Sequence, residues 1–184
     1  MPKPVLHGLP PTELPETIKE AWQKSMTLRG DATFFEVFGL RPDLYRWYTE
    51  GFYGKIFHGG RVERRTKELV RLHLSRTHGC KFCNQGNRAD ALEAGISEEV
   101  LEQLQNYETG PFSEREKAAL RLADEMVLNN PQGRLCPNLY ADLSAQFDDG
   151  EILELGLLMG ILAGMAKFLF AFDLVEKEDN CPFG

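Results

Sequence analysis

Apolar positions along this chain recur at helical three- and four-residue intervals, and no segment keeps the two-residue alternation of a strand. Ile18, Ala21, Trp22 and Met26 fit one helical face after Thr12 and Pro15. A second helix is expected after Pro42, with Leu44, Trp47, Tyr48 and Phe52 as its apolar positions. Beyond the Gly59-Gly60 turn, Val62, Leu69, Leu72 and Arg76 share a face of a longer helix that also carries Glu68. Gly79 breaks it, Cys80 opens the next helix, which runs to about Glu93, and Gly95 supplies a stop. Ser97 with Glu98 and Glu99 reads as a fresh start, and Ser113-x-x-Glu116 as a capping box before Ala119, Leu122, Ala123 and Met126. Pro131 and Gly133 mark a loop. A short helix is expected over Leu139 to Phe147, separated by Asp148-Asp149-Gly150 from a final long helix. The fold expected is all-α.

The last helix carries Gly156, Gly160 and Gly164, one per turn along a single stripe. Each costs about 1 kcal/mol relative to alanine inside a helix. That cost suggests close helix–helix approach, either within the chain, the reading the sequence favours, or at a subunit interface. The longest uncharged apolar run, Leu155 to Ala166, falls short of the roughly 20 residues a membrane span needs. A length of 184 residues suits one domain, and a net charge of -7 argues against nonspecific binding to nucleic acid or anionic membrane. No signal-peptide pattern stands at the N-terminus, and four irregularly spaced cysteines do not make a disulfide framework. A reducing cytoplasm fits best, where a C-x-x-C is usually metal-binding or catalytic.

Cys80 and Cys83 form that C-x-x-C. A disulfide across so small a loop adds little stability, so its natural use is chemistry. The N–H groups of a helix start favour a thiolate, the reactive species, and Lys81, Arg76 and Arg88 add positive charge nearby. Half a zinc site or two buried thiols are the plainer readings. A four-cysteine zinc site with Cys136 and Cys181 lacks compact ligand spacing.

The stretch Glu68-Leu69-Val70…His78-Gly79-Cys80-Lys81-Phe82-Cys83 resembles the core of the alkylhydroperoxidase D-like, carboxymuconolactone decarboxylase family. That core is a glutamate, eleven residues, C-x-x-C, three residues, then usually histidine. Ala91 to Ser97 and Phe112 to Glu116 resemble the family's following segments. The resemblance covers roughly Pro42 to Val175, making 1–41 an N-terminal helical extension and 42–184 the family domain. It implies an all-helical fold and homo-oligomers, commonly dimers, trimers or hexamers. In the redox-active branch the second cysteine attacks a peroxide and the first condenses with the sulfenic acid. Carried over, Cys83 is peroxidatic and Cys80 resolving, although the helix-dipole argument alone favours Cys80 as the thiolate. Glu68 would accept the thiol proton directly or through water.

One position departs from the pattern. Asn87 stands where the family usually has histidine, one turn after Cys83, and an asparagine cannot shuttle a proton. His78 is a possible substitute, although a surface histidine at a helix end is the plainer reading. His73 reads as structural, and His58 and His7 have no evident partner. The leading expectation is a cytoplasmic thiol peroxidase or disulfide reductase that uses Cys83, Cys80 and Glu68, with Asn87 orienting the site. It takes hydrogen peroxide or organic hydroperoxides, is re-reduced by a thioredoxin-like or lipoyl-bearing protein, and requires no metal or bound organic cofactor. A lactone decarboxylase and a non-enzymatic redox-sensing module are the alternatives. Phe34, Phe35, Phe38, Trp47, Tyr48, Phe52, Tyr53 and Phe57 are core or interface candidates, some of which could line an apolar pocket.

Overall fold

The computed structural model describes residues 1–179 and 181–183. Helices α1 (Glu16–Arg29), α2 (Thr33–Phe38) and α3 (Pro42–Arg46) lead into a π-helix (Trp47–Phe57). Next come α4 (Arg64–Thr77), α5 (Lys81–Glu93), α6 (Glu98–Glu102), a 3₁₀ turn (Leu104–Asn106), α7 (Glu114–Met126), α8 (Pro137–Ser144) and α9 (Asp149–Ala171). No strand occurs among the described residues.

Helix α4 is the axis of the molecule. Every residue from Thr66 to Ser75 is buried, because α5, α7 and α9 pack around it. Its Leu69 and Leu72 join Ala119 and Leu122 of α7 and Leu155 and Leu158 of α9 in the main core. A second core gathers Ile18, Phe34 and Val37 against Leu169, Phe170 and Cys80. The first forty residues therefore help to bury the cysteine pair.

The segment after Pro42 departs from the α-helical expectation. Only Pro42–Arg46 is α-helical, and Leu44 and Trp47, placed on the apolar face by a 3.6-residue repeat, are 47% and 57% exposed. The chain instead closes i→i+5 bonds, as in His58 N–H to Tyr53 O at 2.8 Å. In that register residues five apart face the same way, whereas in an α-helix they diverge by about 140°. Phe52 and Phe57 accordingly both lie in the main core. Helix α2 was not visible in the hydrophobic pattern.

The Ser113–Glu116 capping box forms as expected. Asp148-Asp149-Gly150 is not a separating loop: Asp148 caps α9 through a second box with Glu151, and α9 begins at Asp149. Helix α9 runs 23 residues and is long and apolar enough to cross a membrane, unlike the shorter run read from the sequence. Its Ile152, Leu155, Leu158 and Met159 are nevertheless core residues. Among the described residues the glycine stripe makes no close approach to another helix. Gly156 and Gly164 face open space, and the nearest atom to a Cβ at Gly160 is Met126 Cε, at 3.8 Å.

Gly79 adopts φ +66°, which turns α4 back against α5. The C-terminal segment crosses this turn: Glu178 N–H donates to Gly79 O at 2.8 Å and Phe82 N–H to Glu176 O at 3.2 Å. A Cβ at Gly79 would lie 2.7 Å from Cys181 Cα, whereas at Gly95 (φ +82°) it meets nothing within 4 Å. The left-handed backbone alone costs a non-glycine residue about 1–2 kcal/mol. Gly79→Ala therefore loses more stability than Gly95→Ala in urea unfolding under reducing conditions. Equal losses would show that the C-terminal segment does not constrain the turn.

Candidate active site

Cys80 precedes the first residue of α5, and its Sγ accepts the Cys83 N–H at 3.2 Å, a side-chain cap of the helix start. The two cysteines are joined as a disulfide with Cα atoms 5.2 Å apart. They differ in access: Cys80 is fully buried in the second core, and Cys83 is half-buried. Cys83 opens on a recess of about 250 Å³ walled by Phe34, Tyr48, Tyr53, Arg71, Phe82 and Asn87. A smaller space of about 60 Å³ touches both cysteines, His78, Tyr48, Tyr53 and Arg71. Arg29 of α1 fixes one wall, its Nε donating to Phe82 O at 3.0 Å and its guanidinium lying 4.3 Å from the Phe82 ring centre.

Glu68 is buried beside this site but lines neither space. Arg64 Nε donates to its Oε1 at 3.2 Å, and Arg71 Nη2 donates to Oε2. Arg71 is the residue that reaches the wall. Its Nη2 also donates to Asp90 Oδ2 at 2.8 Å, and its guanidinium lies 4.6 Å from the Phe57 ring centre and 5.6 Å from that of Tyr53. Burial opposes the charge on Arg71, but Tyr53, Glu68 and Asp90 outweigh it and hold the pKa above the ordinary arginine value.

Asn87 Nδ2 donates to Ser75 Oγ at 3.0 Å and, more weakly, to Arg71 O at 3.5 Å. It ties α5 to α4, and among the described residues it has no hydrogen bond to Cys83. The expectation of a surface histidine at 78 is overturned. His78 is 1% exposed, and its Nε2 accepts the Leu128 N–H at 3.1 Å, which requires an unprotonated Nε2. Burial, with His73 second, pushes its pKa down to about 4. His73 has the structural role expected, bound to Asp124 Oδ1 at 2.6 Å, and Tyr107 donates to the other oxygen at 2.6 Å.

The remaining cysteines do not assemble with the pair into a metal centre. Cys136 packs on the main core, Cys181 Sγ donates to His78 O at 3.1 Å, and no group placed to hold a metal occurs among the described residues. Sequence reasoning missed Arg71 and underrated the two tyrosines. Their signal was the spacing Tyr48, Tyr53, His58, a five-residue repeat that puts all three along the recess.

A buried helix pair joined by a glycine turn, with a cysteine disulfide at the start of the second helix, defines a helical thiol–disulfide scaffold. The family model of the carboxymuconolactone decarboxylase family matches residues 42–125. The uncharacterized protein YdfG of Bacillus subtilis (strain 168) is 30% identical over 99 residues, 53% of this chain and 67% of YdfG. The chain belongs to the carboxymuconolactone decarboxylase family. Two solved structures share its fold. One is an AhpD-core, uncharacterized peroxidase-related protein from Ralstonia eutropha JMP134, with a TM-score of 0.73 and 15% identity over 97% of this chain and 94% of that one. The other is the debrominase Bmp8 in complex with 2,3,4-tribromopyrrole, with a TM-score of 0.74 and 16% identity over 96% and 93%. The helical frame is thus one that an enzyme, the debrominase Bmp8, also uses.

The His78 environment predicts an acid-side loss of stability. An unfolded histidine titrates near 6.5 and the folded one near 4, so the unfolded state binds the extra proton between these values. The stability is fully present above pH 6.5 and falls as pH drops toward 4, by roughly 3 kcal/mol at about 1.4 kcal/mol per unit. His78→Gln should flatten the urea midpoint's dependence on pH across that window. An unchanged slope would assign it to other groups.

Proposed function

We propose that this protein is a thiol-dependent oxidoreductase of the peroxidase type, in which Cys83 attacks and Cys80 resolves. The observation that carries the reading is the unequal access of two bonded cysteines. Cys83 opens on a recess, while Cys80 is sealed directly behind it. In the reduced protein the Cys83 thiolate takes the distal oxygen of a hydroperoxide and releases an alcohol or water. The Cys80 thiol then condenses with the sulfenic acid, giving the disulfide and water. A thioredoxin-like or lipoyl-bearing dithiol restores both thiols by attacking the sulfur of Cys83, the cysteine that opens on the recess. Glu68 serves by holding Arg71 in place, since the arginine stands on the recess wall and the carboxylate does not. Asn87 orients α5 against α4 through Ser75. The protein acts in the cytoplasm.

The aromatic walls favour a second reading. Phe34, Tyr48, Tyr53 and Phe82 suit a flat ring as well as an alkyl peroxide, and the same pair of thiols supplies the two electrons a reductive dehalogenation needs. The fold shared with a debrominase is consistent with that use. Assembly into a homo-oligomer through α9 completes the proposal. Leu153 and Leu157 are 72% and 52% exposed, and Gly160 and Gly164 continue the same uncovered stripe.

Intact mass and thiol counts before and after one equivalent of cumene hydroperoxide test the peroxidase reading. Wild type should rapidly lose two thiols and about two daltons, the mass of two hydrogens. Cys80→Ser should stop at a sulfenic acid on Cys83, and Cys83→Ser should not react faster than a free thiol. Wild type as slow as a free thiol would sink the reading, and loss of bromide from a bromopyrrole with the same two-thiol stoichiometry would replace it. Sedimentation of Gly160→Leu tests assembly: a smaller species than wild type is expected, and an unchanged one argues against α9 as the interface.

A further inference from the structure

The recess has a wall opposite Cys83 that the family's glutamate–histidine–cysteine pattern does not describe. The π-helix presents Tyr48 and Tyr53 to it, and both line the spaces that Cys83 opens on. Their rings meet edge to face with centres 5.2 Å apart. The guanidinium of Arg71, which Glu68 and Asp90 hold in place through Nη2, lies 5.6 Å from the centre of the Tyr53 ring and lines the same two spaces. Burial, together with Tyr53, pushes the Tyr48 phenol well above its ordinary pKa, so Tyr48 stays protonated. The other proton donors at the site are excluded. Asn87 does not ionise and is turned to Ser75, His78 Nε2 is occupied by Leu128 N–H, and His58, also on the recess, is held toward its neutral form by burial and by Arg64.

We propose that Tyr53 is the catalytic proton donor to the oxygen leaving Cys83, with Arg71 as the positioning residue that stabilises the phenolate left behind. The assignment rests on the peroxidase reading above. In the step, the Cys83 thiolate forms a bond to the distal oxygen as the O–O bond breaks. The proximal oxygen takes the Tyr53 proton and departs as an alcohol. The phenolate is paired with the buried Arg71 and regains a proton from water entering the open recess. Cys80 thiol and Cys83 sulfenic acid then give the disulfide and one water. One peroxide has been reduced by two electrons, and the chain has lost two hydrogens. The geometry suits a phenol here because a guanidinium held by two carboxylates is a fixed charge, able to favour a developing phenolate without giving up a proton itself.

The test separates proton donation from packing. Reduced full-length wild type and Tyr53→Phe are mixed with cumene hydroperoxide, whose alkoxide needs a proton, and with peracetic acid, whose acetate does not. Oxidation of Cys83 is followed by quenched-flow mass spectrometry, and its alkylation by iodoacetamide reports whether the thiolate and the fold survive. General acid catalysis by one side chain contributes about 10²-fold or more. Tyr53→Phe should therefore lose about 10²-fold with cumene hydroperoxide, keep its rate with peracetic acid and alkylate as wild type does. Equal slowing with both oxidants, or none with cumene hydroperoxide, would overturn the assignment while leaving the peroxidase reading intact. A wild type that reacts slowly with both would defeat that reading, and the assignment with it.

Discussion

The constraint that organises this molecule is the pairing of charges along a helix buried on all sides. Helix α4 carries Lys67, Glu68 and Arg71 into the interior. An ion taken out of water without a partner costs several kcal/mol, so each must be met by geometry. Lys67 is met by Glu154 Oε1 of α9 at 2.5 Å and by the carbonyl of Ile56 at 2.9 Å. Glu68 is met by Arg64 and Arg71 of its own helix. Arg71 reaches across to Asp90 of α5. Three elements are thereby referenced to α4: the π-helix through Ile56, α5 through Asp90 and α9 through Glu154. Replacing one partner of such a set destabilises by more than the pair contributes, because the other charge stays buried.

That arrangement decides what faces the cysteines. Docking the end of the π-helix on Lys67 places Phe57 and Tyr53 over the Arg71 guanidinium. The five-residue register then carries Tyr48 to the same wall. An α-helix over these residues would have turned Tyr53 away from Tyr48 and left the recess without a phenol beside the guanidinium. On the other side, the glycine turn at 79 brings α5 back so that its start lies beneath the recess. The C-terminal segment seals the back of that turn. Access to the sulfur pair is thus one-sided: Cys80 is fully buried and Cys83 opens on the recess.

The sequence made the helix boundaries around the site legible because they are set locally. A left-handed glycine, a capping box and a Cys at a helix start each act within a few residues, and all formed where their patterns fell. It also carried the Cys80–Cys83 pair through its spacing, whereas Glu68, drawn in by the family resemblance, is bound to Arg64 and Arg71 and lines neither cavity. It did not reveal the π-helix. Helical periodicity was sought at 3.6 residues, and Leu44 and Trp47 happened to satisfy it while the true buried pair, Phe52 and Phe57, lies five apart. Arg71 was legible only as an ion-pair partner for Glu68, not as a residue of the site, for a related reason. An arginine three residues after a glutamate reads as a solvated ion pair, and only tertiary packing around α4 turns it into a buried charge at the cavity wall. The glycine stripe misled in the opposite sense. Its cost predicted a close neighbour within the chain, and the structure leaves the stripe open.

The asparagine at position 87 now has a physical account. A histidine there would stand one turn from Cys83, on the α4 side of the recess. In this chain that side is taken up by the bond from Asn87 to Ser75, which helps to hold α5 on α4 without any ionisable group. A neutral amide makes that bond without adding a charge to the neighbouring cluster of Arg71, Glu68 and Asp90. Position 87 thus serves the packing of α5 on α4 rather than a relay of protons.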